Sequence, residues 1–145
     1  MTRTLASTRA HSVAIIAGLE TELARPVGEA VAPDLSSPPN DLRFPYCVMF
    51  RLDDFERSGP LSDDEEDVMI EFQVTSVSDT VAGAETMGDN VAEAVMNPAA
   101  PITVAGRKIG PMQTSLSGDI TRDPKEKPPL FYHIAIYEFK SWREP

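Results

Sequence analysis

The chain has 145 residues, 41% hydrophobic and 25% charged, with 13 Lys+Arg against 23 Asp+Glu and a formal net charge of −10. This predicts one domain over residues 1–145 with apolar content for a real core, and its acidity opposes tight binding to phosphate backbones. A single cysteine, Cys47, excludes an internal disulfide or a Cys-based metal site, and no apolar run approaches the roughly 18 residues of a membrane-spanning helix.

The first predicted element is a helix from Ser7 to Leu23, with Val13, Ile16, Leu19 or Glu20, and Leu23 at helical spacing and Ser7 or Thr8 at its entry. The apolar stretch Val13 to Leu19 is followed at once by Glu20 and Glu22, so it reads as part of a soluble protein and not as a signal peptide. Arg25-Pro26 ends the helix, and residues 26–45 form a Pro-rich connector with Pro26, Pro33, Pro38, Pro39 and Pro45, an arm with room for one short strand.

Tyr46 to Leu52 alternates Tyr46, Val48, Phe50 and Leu52 with Cys47, Met49 and Arg51, the period of a strand. Val68, Ile70, Phe72 and Val74 alternate with Met69, Glu71, Gln73 and Thr75, and the two strands are expected to form an antiparallel pair. A second helix starts at Ser78, Asp79 or Thr80, carries Val81, Ala84, Gly88, Val91 and Val95 on one stripe, and stops at Asn97-Pro98. Gly83 and Gly88 each cost about 1 kcal/mol there relative to Ala, which implies a small-residue face pressed on the sheet or on another subunit. Ile102 with Val104, then Ile109 to Leu116, are short strand candidates; Asp119 to Pro129 reads as a polar loop, and Phe131 to Lys140 as the final strand. The expected fold class is α+β: an antiparallel sheet of about four or five strands with two helices packed on one face.

Motifs for nucleotide chemistry are missing, since neither G-x-x-x-x-G-K nor G-x-G-x-x-G occurs. His11 and His133 are far apart in sequence, His133 reads as a structural strand residue, and Cys47 reads as a packed thiol with no base beside it. No catalytic, cofactor-binding or metal site is therefore assigned, and the chain is not expected to be an enzyme. Met49, Met69, Met87, Met96 and Met112 are scattered over several elements and read as core filling.

From Asp53 to Glu71 nine acids stand against one base, Arg57, which accounts for most of the net charge. The plain reading of the loop 53–67 is a solvated acidic segment, and the spacing of a calcium loop is missing. In a ring of identical chains, Asp63, Asp64, Glu65, Glu66 and Asp67 would line the lumen and repel a passing polyanion. Arg107, Lys108, Arg122, Lys125 and Lys127 form the late basic group and are candidates for contact with an acidic neighbouring subunit.

Several stretches carry a family resemblance: the N-terminal helix; Phe44-Pro45-Tyr46-Cys47-Val48-Met49-Phe50; Gly59-Pro60; and Asp67-Val68-Met69-Ile70-Glu71-Phe72-Gln73-Val74-Thr75-Ser76-Val77. To these add Gly83-Ala84 and Asn90-Val91, then Ser117-Gly118-Asp119-Ile120-Thr121-Arg122-Asp123 and Pro128-Pro129-Leu130-Phe131-Tyr132-His133 with Tyr137. Together, over residues 5–142, they resemble the tail terminator (tail-completion) proteins of long non-contractile-tailed phages, especially those infecting actinobacteria. One departure is Ala135, where an acidic residue is expected.

The resemblance implies a structural virion protein at the neck-proximal end of the tail, assembled in the host cytoplasm. Such a protein forms a homo-hexameric ring, caps the tail tube, ends its polymerisation and meets the head–tail connector. Double-stranded DNA passes through without specific binding, and neither cofactor nor membrane is involved. Another neck or connector protein of the same particle, or a soluble ligand- or metal-binding domain, is the alternative.

Overall fold

The computed structural model describes residues 3–30, 44–52, 67–123 and 129–143. Of the segments singled out above, the acidic loop up to Glu66, connector residues 31–43, and Lys125 and Lys127 lie outside the described residues. The elements are α1 (Arg3–Leu23), β1 (Val27–Glu29), β2 (Tyr46–Arg51), β3 (Asp67–Ser78), α2 (Val81–Met96), β4 (Arg107–Ile109), β5 (Gln113–Ser117), β6 (Thr121–Asp123) and β7 (Leu130–Arg143).

Alternating apolar residues make β3 and β7 the longest strands, and they pair antiparallel from Asp67↔Trp142 to Ser78↔Phe131. β2 flanks β3 antiparallel, as expected from the two alternating runs. The class is α+β, but the sheet is mixed and not purely antiparallel, because β1 runs parallel to β2. A parallel neighbour needs a connection of about a dozen residues or more, and the Pro-rich connector supplies that length. The described strands number seven, in the order β1-β2-β3-β7, with β4, β5 and β6 all bonded to the remaining edge of β7. Those three share that edge end to end: Arg107↔Arg143, Gln113↔Glu138 and Thr121↔Tyr132 mark the sequence along it. The expected strand at Ile102 and Val104 does not form. The expected loop from Asp119 instead contributes β6.

Register assigns each face. Cys47, Met49, Ile70, Phe72, Val74, Ala135, Tyr137 and Phe139 point to the side covered by both helices and form the core with Ile15, Leu19, Met87, Val91 and Val95. Each large side chain buried this way contributes about 1.5–3 kcal/mol of transfer free energy. Phe72 meets Tyr137 and Phe139 with ring centroids 5.6 and 6.2 Å apart. Ala135 lies within this core at 2% exposure, where a carboxylate would be a buried charge.

α1 is rotated from its predicted orientation. Val13 is 49% exposed, whereas His11, Ser12, Ile15 and Leu19 are buried. The apolar pattern misleads because two polar residues face inward and find partners there: His11 Nε2 lies 2.7 Å from Ser141 Oγ, and Arg51 Nη1 donates to Ser12 Oγ at 3.0 Å. The acids that follow the apolar stretch bond backbone amides, Glu20 accepting from Val27 N–H at 3.1 Å and Glu22 from Ala99 N–H.

α2 begins as its sequence indicates. Thr80 is the N-cap, its hydroxyl accepting from Gly83 N–H at 2.9 Å, and Asn97 closes the helix. Its buried stripe is Ala84, Met87, Gly88, Val91 and Val95, while Val81 is 43% exposed. Met49 and Met87 fill core space, but Met96 is 40% exposed.

Gly88 faces the sheet and not solvent. A Cβ on it would stand 2.8 Å from Nδ1 of His133, closer than atoms approach without displacement. Gly88→Ala is therefore expected to destabilise the fold by about 1–3 kcal/mol through overpacking. In a His133→Ala background the same change should stabilise by about 1 kcal/mol, the helix propensity gain. Urea unfolding of the four variants checks this; equal effects of Gly88→Ala in both backgrounds would refute the contact.

Candidate functional site

The most polar part of the helix-covered layer is centred on Ser141, fully buried near the C-terminal end of β7. Arg107, at the start of β4, donates from Nε to the Ser141 hydroxyl at 3.0 Å and from Nη2 to its carbonyl at 2.7 Å. With its oxygen accepting from Arg107, the hydroxyl's own hydrogen is available to His11 Nε2. One serine thus joins α1, β4 and β7, and fixes the guanidinium from two directions.

Beside this cluster a cavity of about 760 Å³ opens between α1, the end of α2 and the segment 98–112. Ile15, Leu19, Phe72 and Val95 form its inner wall, and Arg107 lies in its lining. The covering segment rests on α1 closely enough that a Cβ on Gly18 would sit 2.8 Å from Ile102 Cγ2. Within that segment Val104 is buried and its carbonyl accepts from Arg107 N–H at 3.0 Å. Gly106, at φ +75°, supplies the left-handed residue of the turn into β4.

The opposite face of the sheet carries Tyr46, Val48 and Phe50 of β2, Thr75 and Val77 of β3, Ile134 and Ile136 of β7, and Leu116 of β5. Neither helix covers it. Tyr46 and Val48 are buried, Ile134 and Ile136 half-buried, and Leu116 is 49% exposed. β5 is exposed along its whole length, with a register shift between Thr114 and Leu116. At the other edge, the Val27 N–H is occupied by Glu20, and Arg9 and Glu29 form an exposed ion pair at 2.5 Å.

Among the described basic residues, Arg107 and Arg122 do not share one patch. Arg107 pairs with Arg143 and Arg122 with Phe131, twelve positions apart along β7. At ~3.3 Å per residue they are separated by roughly 40 Å. Arg107 is engaged by Ser141, whereas Lys108 and Arg122 are exposed. Asp67 is the first residue of β3, opposite Trp142.

His133 and Ser76 are cross-strand partners beneath α2, and Ser76 Oγ and His133 Nδ1 are buried without hydrogen-bond partners among the described residues. The other imidazole nitrogen, Nε2, lies 3.4 Å from Ser117 Oγ. Eight residues separate His133 from Ser141 along β7, so the two histidines belong to different clusters. Among the described residues no group of three or more His, Cys, Asp or Glu is placed to hold a metal ion, and no helix is long and apolar enough to cross a membrane. The Ser141 cluster escaped the sequence reading because its members are Arg107, Ser141 and His11, with no local motif joining them.

No protein-family model matches the chain, and no curated protein matches it.

Burial pushes the Cys47 thiol up from 9.0 to about 12; Arg25 pulls it down and Glu20 pushes it up, both to lesser extents. Burial likewise raises the Tyr137 hydroxyl from 10.0 to about 12. The unfolded chain releases both protons first, so stability should fall as pH rises from about 9 towards 12. Native protein at pH 8 should resist a thiol-specific reagent and react fully once unfolded in urea. Native labelling at the rate of a free thiol would contradict the packed assignment.

Proposed function

We propose that this chain is a structural virion protein that assembles into a ring on the end of a phage tail tube, ends tube polymerisation and joins the tail to the head connector. The observation that carries this reading is a sheet with both helices on one face and, among the described residues, no helix on the other. Both helices cover one face, while the other presents Val77, Ile134 and Ile136 beside Leu116, next to an exposed β5. The resemblance to tail terminators over residues 5–142 supplies the type of assembly. Identical subunits close a ring when two different surfaces of one chain fit each other. The β5 side is one such surface, and the β1 edge, where Glu20 occupies the Val27 N–H, contacts its neighbour through side chains.

DNA is a passenger in this reading. The net charge of −10 leaves no general attraction for phosphates, and acidic residues 63–67 are proposed to face the lumen. Lys108, Arg122, Lys125 and Lys127 are the proposed basic contacts to a neighbour. A connector protein of the same neck would share these features and differ in what it binds.

Light scattering across concentration and salt, with negative-stain images, is expected to find rings of about six subunits, alone or with tail-tube protein. Leu116→Arg should abolish assembly while stability stays within about 0.5 kcal/mol, since the side chain is exposed. A chain that stays monomeric and neither binds nor caps tube protein would overturn the reading. A ring that binds connector but not tube would reassign it to the connector side.

A further inference from the structure

The cavity between α1, the end of α2 and segment 98–112 has a volume of about 760 Å³, within the roughly 300–1,000 Å³ of small-molecule pockets. Its inner wall is Ile15, Leu19, Phe72 and Val95, all buried, and Met96 and Met112 line it from the end of α2 and from the covering segment. Among the described residues no acid lines it, and its polar side chains are Thr103, Arg107 and Lys108. Thr103 and Lys108 are exposed, so their polar ends keep water, and the Arg107 guanidinium is engaged by the Ser141 hydroxyl and carbonyl. Ser76 and His133, whose buried side-chain atoms lack a hydrogen-bond partner among the described residues, are not part of the lining. A ligand polar group carried to the inner wall would therefore lose water and gain no side-chain partner, a cost that is heaviest for a charge. The interior selects for hydrocarbon.

We propose that this cavity binds a small uncharged, predominantly hydrocarbon molecule, an aliphatic alcohol in class, with its chain along Ile15, Leu19, Phe72 and Val95 and its hydroxyl left towards water. Lys108 adds no requirement for an anion, because an exposed ammonium is screened by solvent and the chain as a whole carries a net charge of −10. The cavity lies on the helix-covered side of the sheet, so the site goes beyond the assembly reading and does not depend on it.

The test is titration of the full chain with the neutral fluorophore N-phenylnaphthylamine, followed by displacement with hexanol, octanol and octanoate. Saturable binding of one probe per chain is expected. Octanol should displace it at a concentration about tenfold lower than hexanol, the gain from burying two more methylenes. Octanoate should compete more weakly than octanol, and Lys108→Gln should keep octanol binding within about twofold of wild type, since an exposed charge contributes little. In spectra of methyl-labelled methionine, octanol should shift Met96 and Met112, which line the cavity, and leave Met69, on the other face of the sheet, in place. No saturable probe binding, or displacement indifferent to chain length, overturns the site. Octanoate competing as well as octanol overturns the uncharged class, and loss of that competition in Lys108→Gln would name Lys108 as the anion's partner. A shift at Met69 with Met96 and Met112 unmoved overturns the location. Shifts of Met96 and Met112 that follow protein concentration and not ligand would assign the cavity to a second copy of the chain and overturn the small-molecule site.

Discussion

Strand β7 satisfies hydrogen-bonding partners on both edges over nearly all of its length, and the other layers take their positions from its register. β3 occupies one side from Leu130's neighbour Phe131 to Trp142, and β6, β5 and β4 divide the other. A slip of one residue would send Ala135, Tyr137 and Phe139 to the opposite face and bring Ile134, Ile136 and Glu138 under the helices. It would also carry Ser141 away from His11 and Arg107. The register therefore determines the apolar core and a polar junction between the N-terminal helix and β7.

The strands were the legible part of the sequence, because alternation in β2, β3 and β7 reports a local constraint. The capping of α2 by Thr80 is equally local. What could not be read locally depends on partners distant in the chain. His11 looks out of place on an inward face until Ser141, 130 residues later, supplies its hydrogen bond. Ser12 depends in the same way on Arg51. Counting only apolar residues therefore turned α1 towards Val13, which the fold leaves exposed.

A second class of difference comes from topology. Ile102 and Val104 alternate like a strand, but the edge of β7 nearest them is taken by β4, and they cover the cavity instead of joining the sheet. The basic residues from Arg107 to Arg122 are near in sequence yet extend along β7, since β4 and β6 bind opposite ends of the same strand. Proximity in sequence implied one electrostatic patch, and the long strand divides it. The cavity was illegible for a related reason: its walls come from α1, β3, α2 and the covering segment, and no single element announces it.

The pleat keeps the core and the face proposed for assembly chemically separate. In β4, Arg107 turns to Ser141 on the helix-covered side, while Lys108, the next residue, is paired with Trp142 on the other face. In β5 and β7, Leu116 and Ile136 share the uncovered face, whereas the neighbouring Ala135 and Tyr137 are core. A side chain on the face proposed for assembly and one that lines the interior are thus adjacent in sequence and divided by the full thickness of the sheet. A change in the core can reach the opposite face only by moving β7 or β4, and β7 is held along both edges. Substitutions in the core and on the opposite face should accordingly be close to additive in stability, because the element joining them has little freedom to shift.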